Sequence, residues 1–335
     1  MIINKKDSIW DEFKGKWKKE ATNPILQKGL PGSWDVFGAH IGSIIKHGDL
    51  WYCYYSGWNG NEMVDDTETI AIEIGLAISK DGIKFKKYDG NPVFCKGEKG
   101  EWDQQAVDDP WVIKIDDTFH MWYGGYPKGF LGIKIGHAVS KDGIHWTRKP
   151  KGFVLDLGPE GSWDEGIVNV PSVLKDGDTY YMWYSGLVNW PKRPEPHTFQ
   201  MGLAISKDGN NWTKVSQNPV LGTGKNSWDS NFAYHGAVIK KGKYFVMCYA
   251  GTNEKLPTPS RSKIGLAVSL DGINWTKYNN NPILESEKSG WEYGGHESIW
   301  GPLLVERENS FWLYYSGHDG TYFRGGLAYL IPNKF

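Results

Sequence analysis

Cysteine is scarce in this 335-residue chain: Cys53, Cys95 and Cys248 are an odd number without metal-type spacing. That argues against a disulfide framework and leaves inert free thiols, two of them in segments that read as buried strands. Net charge is nearly absent too. Lys plus Arg number 38 against 39 for Asp plus Glu, so 38 − 39 = −1 gives no electrostatic footprint for nucleic acid or an anionic membrane. No apolar stretch approaches a membrane span, and the start, MIINKKDSIWDEFKGKW, has no apolar core or small-residue cleavage site. A cytoplasmic location is the expectation.

What the chain has in abundance is tryptophan, 18 in all, and five recur at Trp34, Trp102, Trp163, Trp228 and Trp291 inside GSWD-like phrases. The intervals are 68, 61, 65 and 63 residues. After each come an apolar run, an aromatic run ending in a YSG-like phrase, a GLAISKDG-like phrase and an NP[VI]L-like phrase. Alternating apolar strands in five copies, four of them carrying an Asp-Gly turn, predict an all-β, five-bladed β-propeller forming one domain over residues 1–335. The last repeat stops one strand short, at GGLAYLIPNKF, while Trp17 and Asn23-Pro24-Ile25-Leu26 match the fourth-strand phrases. The N-terminal strand is therefore expected to complete the final blade, hiding edges an open sheet would expose.

Function must lie where the copies differ. The carboxylate after each repeat Trp (Asp35, Asp103, Asp164, Asp229, Glu292) occurs in every blade and reads as a turn or strand-cap device. Just before the inner strands the chain varies: His40-Ile41, Asp108-Asp109, Asn169-Val170, Tyr234-His235 and Trp300-Gly301. Inner strands line the central channel, so these residues predict a ring at its mouth. Trp111 follows in the second blade. The loops 59–69, 187–200 and 252–263 are long for a compact fold and would add Trp190, Arg193, His197, Arg261 and Arg324 to the rim. Strand alternation predicts that Asp108 and Asp109 do not both face the channel. Asp109, directly before Pro110, is the functional choice.

The Asp109-Pro110 element followed by VIKIDDTFHMWYGG resembles the furanosidase-type propellers of glycoside hydrolase families 43 and 32. GLAISKDG and NPVL resemble phrases of family 130, the mannoside phosphorylases and their hydrolytic relatives. The resemblance implies a base or nucleophile Asp on blade one, a tuning Asp on blade two and an acid Glu on blade three. Only Asp109 carries over: blade one holds His40-Ile41, and Asn169 stands where the blade-three Glu would be. Glu165, from its loop, and Glu297, in a blade-five insertion, are the first choice for the other carboxylates, with His40 or His235 as alternative proton carriers.

The leading expectation is thus a glycosidase that removes a terminal sugar from a short oligosaccharide, needing no cofactor. A calcium or other ion in the channel, near His235, is a further option. Two other readings stay open. Phosphorolysis would use Arg193, Arg261 or Arg324 for phosphate, although Trp111 replaces the Arg of the family-130 phrase. A noncatalytic sugar-binding propeller would use His40, Asn169, Trp111 and Trp300.

Overall fold

The computed structural model describes residues 9–60, 70–128, 131–188, 198–254, 261–294, 298–307 and 310–332. Apart from a short 3-10 turn at Ile9–Phe13, the regular elements among the described residues are all strands. Among the described residues no helix is long and apolar enough to cross a membrane.

Five inner strands, Gly38–His47, Ala106–Ile115, Ile167–Asp176, Phe232–Lys241 and Ile299–Arg307, each open a four-stranded antiparallel unit. Each inner strand contacts the next, and the fifth contacts the first, so the ring closes. In the fifth unit the outermost strand is Gly15–Lys19, paired with Phe323–Pro332 from Gly15↔Pro332 to Lys19↔Ala328. Asn23 fixes that closure: its Nδ2 donates to Leu327 O at 2.9 Å and its Oδ1 accepts the Leu327 amide at 3.0 Å. Asn91 does the same for Leu76 in the first unit, at 2.9 and 2.8 Å.

The repeat phrases pack against one another for a steric reason. A Cβ on Gly57 would lie 2.1 Å from Trp34 Cζ3, and on Gly125 2.2 Å from Trp102 Cζ3, with equivalent contacts at Gly186, Gly251 and Gly317. The glycine of each YSG-like phrase is thus the bed on which the repeat tryptophan lies, and no side chain fits there. The turn glycines bind the units together. Gly82, Gly143, Gly209 and Gly272 adopt φ of 75° to 77°, and their carbonyls accept from Tyr314, Tyr54, Trp122 and Trp183 of the neighbouring blade at 2.9 to 3.0 Å.

The carboxylate after each repeat tryptophan is structural in all five blades. Asp35, Asp103, Asp164, Asp229 and Glu292 are buried and accept the hydroxyls of Tyr55, Tyr123, Tyr184, Tyr249 and Tyr315. Each is neutralised by one cation, respectively Lys87, Arg148, Lys214, Lys277 and Lys19. A buried carboxylate so paired and hydrogen-bonded locks the Trp loop to its sheet.

Candidate active site

Every inner strand carries a β-bulge at its axial end, between Ile41 and Ser43, Asp108 and Trp111, Asn169 and Ser172, Tyr234 and Ala237, and Trp300 and Leu303. In blades two to five one residue of the bulge takes a left-handed conformation: Asp109 (φ 50°), Val170 (52°), His235 (49°) and Gly301 (55°). Such backbone is costly for non-glycine residues and re-aims the side chain. The five bulges surround a cavity of about 20 Å³ lined by His40, Asp109, Trp111, Val170, His235 and their neighbours in the chain, with Gly301 and Pro302 from blade five. That volume suits a single water or ion.

Of the adjacent acidic pair Asp109 lines this cavity and Asp108 does not, yet across the bulge both carboxylates flank one imidazole: His40 Nδ1 lies 3.9 Å from Asp108 Oδ1, and His40 Nε2 lies 3.4 Å from Asp109 Oδ1. The backbone amide of Asp109 donates to Asp108 Oδ1 at 2.7 Å and to Ser56 Oγ of blade one at 3.0 Å. Asn169 Nδ2 donates to Asp109 Oδ2 at 2.9 Å and lies 3.3 Å from the Tyr126 hydroxyl, which donates to Asp108 Oδ2 at 3.1 Å. His40, Asp108, Asn169, Tyr126 and Asp109 thus form a closed circuit drawn from three blades. His40, Asp108, Asp109 and Asn169 are all at most 6% exposed.

Burial depresses the His40 pKa, an effect the nearby Asp108 charge opposes. Burial depresses His235 far more, and neighbouring His40 adds to it. His235 keeps a little accessible surface, yet its Nδ1 is shielded from solvent and has no hydrogen-bond partner among the described residues. Both rings are therefore neutral imidazoles near pH 7. His235 is held through its backbone amide, which donates to Ser185 Oγ at 2.9 Å.

The remaining sequence candidates fare differently. Glu165 closes its own loop: its Oε2 accepts the Gly161 amide at 2.5 Å, the position at which Gln104 Oε1 accepts the Gly100 amide at 2.7 Å in blade two. Glu and Gln thus fill the same loop-closing role in equivalent loops of blades three and two. Trp111 donates its indole N–H to Val173 O of the next blade at 2.7 Å, and Trp300 packs beside His40 with ring centres 5.5 Å apart. Tyr234 stacks on Phe199 and meets Ser262 Oγ at 3.1 Å. On the rim, Arg261 lies 3.2 Å from the Tyr293 hydroxyl, and Arg324 pairs with Asp319 at 2.8 Å. Glu297, Trp190, Arg193 and His197 lie outside the described residues.

Sequence reasoning missed Tyr126 and Gly124. Blade two reads YGG where blades one, three and five read YSG and blade four reads YAG, because the Asn169 Oδ1 would sit 1.8 Å from a Cβ on Gly124. That break in the repeat was the available signal.

The pattern of the glycosyl hydrolases family 32 N-terminal domain matches residues 109–232, and that of the beta-1,4-mannooligosaccharide phosphorylase family matches residues 63–133. An uncharacterized protein of Mycobacterium tuberculosis (strain CDC 1551 / Oshkosh) is 30% identical over 259 residues, 76% of this chain and 79% of that protein. The chain belongs to the superfamily of β-propeller glycoside hydrolases that contains families 32, 43 and 130. Within it, a 1,2-beta-oligomannan phosphorylase of Thermoanaerobacter sp. (strain X514) is 27% identical over 312 residues, 91% of this chain and 94% of that enzyme. The crystal structure of a glycosyl hydrolase from Bacteroides ovatus superposes with a TM-score of 0.74 at 17% identity, covering 96% of this chain and 95% of that one. This last likeness concerns the fold.

Proposed function

We propose that this protein cleaves the glycosidic bond of a short oligosaccharide at the axial end of the propeller, releasing a terminal sugar to water. Asp109 is the working carboxylate, and Asp108, His40, Asn169 and Tyr126 position it. One observation carries the reading. The five repeated carboxylates are each tied to a cation of their own blade or its closing strand, and Asp109 stands outside that repeat, buried at the axial cavity beside an imidazole and an amide from two other blades. A buried carboxylate beside an imidazole, at the end of the propeller where the copies differ, is suited to take up and release a proton during bond cleavage. Glu297 of the blade-five insertion is the candidate for the second carboxylate.

Phosphorolysis is the second reading, favoured by the 27% identity to the oligomannan phosphorylase across 91% of this chain. Hydrolysis ranks first because Arg261 and Arg324, two of the basic residues available for phosphate, are engaged with Tyr293 and Asp319.

The test is turnover of a panel of aryl glycosides and manno-oligosaccharides with and without phosphate. Release in phosphate-free buffer is expected, and Asp109→Asn should lower kcat by about 10²–10⁴-fold, the usual worth of a positioned acid or base. Turnover only with phosphate makes the protein a phosphorylase. Full activity in Asp109→Asn refutes its role, and sugar binding without any turnover identifies a binding propeller.

A further inference from the structure

Three donors at the axis meet without completing one another. One nitrogen of His40, one oxygen of Asp109 and one nitrogen of His235, from blades one, two and four, all lie within 4.8 Å of one another. They border the axial cavity of about 20 Å³, room for one ion. His40 Nε2 and Asp109 Oδ1 stand 3.4 Å apart. Two ligands about 2.1 Å from a tetrahedral ion are about 3.4 Å apart, so this pair already has the spacing a shared metal sets.

Two further observations point to a ligand. The shielded His235 Nδ1 has no hydrogen-bond partner among the described residues, which is rare for a buried polar atom. The outer contacts are those that orient metal ligands: Asn169 holds the second oxygen of Asp109 at 2.9 Å, and the other nitrogen of His40 faces the Asp108 carboxylate at 3.9 Å. Both Asp109 and His235 reach the axis from left-handed backbone, where blade five uses Gly301.

We propose that His40, Asp109 and His235 bind one divalent transition-metal ion of the zinc and cobalt class on the propeller axis. Two imidazoles and one carboxylate suit these metals, whereas calcium and magnesium select nearly all-oxygen shells. Three protein ligands leave a coordination position for water or a substrate oxygen. The site shares its residues with the proposed reaction centre, and occupancy makes Asp109 a metal ligand. Uptake is therefore read without substrate, so that its failure and the failure of glycoside cleavage are separate results.

Untagged protein, stripped with chelator, is titrated with Co²⁺ by absorption spectroscopy and calorimetry, then with Zn²⁺ in competition. One equivalent per chain is expected, with the ligand-field bands of a low-coordinate site and displacement by Zn²⁺. His235→Gly keeps the left-handed backbone that glycine accepts without strain, so it removes the ligand and spares the fold. It should weaken Co²⁺ at least about 100-fold, more than loss of an outer-shell contact does. Cys95→Ser, which removes the exposed thiol, should bind as the parent does. No saturable uptake, equal affinity in His235→Gly, or preference for Ca²⁺ over Zn²⁺ would each overturn the proposal, whereas turnover by the stripped protein in chelator reports only on the reaction.

Discussion

Replacing Lys214 by Met strands the Asp164 carboxylate of blade three, which is 2% exposed and lies 2.6 Å from the Lys214 ammonium. Removing one member of a buried pair costs about 3–5 kcal/mol, because the partner charge stays behind in a poor solvent. Asp164 keeps the Tyr184 hydroxyl at 3.0 Å and Ser162 Oγ at 3.1 Å, and the partly exposed Lys214 position admits water. Both place the cost at the low end, about 3 kcal/mol. At about 2.1 cal/mol/K per residue, 335 residues give an unfolding entropy of about 0.7 kcal/mol/K, so Tm should fall by about 4 °C. Lys214→Met combined with Asp164→Asn removes the stranded charge and should recover most of the loss. Urea titration and scanning calorimetry measure the stability, and turnover at saturating glycoside measures function. If stability moves by less than about 1 kcal/mol while kcat drops tenfold, the repeated carboxylates take part in chemistry, and the separation of structural from working acids fails.

Gly125→Ala drives a methyl to 2.2 Å from Trp102 and should cost about 2–3 kcal/mol or more, whereas Gly48→Ala, at φ 59° with nothing within 4 Å, pays only about 1 kcal/mol of backbone strain. Equal urea midpoints for the two would refute the tryptophan-bed account. Burial, and then the His137 ring 3.1 Å away, push His120 down to about 4, so the folded state excludes a proton that the unfolded chain binds from about 6.5. That stability is present in full above pH 6.5 and is lost as pH falls to about 4. Allowing for partial exposure the loss is about 2 kcal/mol, visible as a falling urea midpoint that flattens in His120→Gln. A midpoint unchanged from pH 7 to 4.5 in the parent contradicts it.

Much of the ring was legible because packing is local to each repeat. A tryptophan, the glycine it lies on, its carboxylate and the tyrosine and cation that hold that carboxylate recur together, since each blade must solve the same problem of burying an indole against a sheet. Asn23 announced the closing strand for the same reason: it bonds Leu327 as Asn91 bonds Leu76. The loop contact of Glu165 was not legible, because a lone sequence cannot show a loop brace, which Gln104 supplies in the equivalent loop of blade two.

The sequence by itself determined the five-fold period, the closure by the N-terminal strand and the positions at which the copies part, because period and alternation are written along the chain. Only the tertiary structure decided that both Asp108 and Asp109 face His40 and that His235 and Asn169 meet them. A bulge with left-handed backbone cancels strand alternation, and the meeting residues stand on four blades, so their distances follow from ring closure and leave no spacing in the sequence.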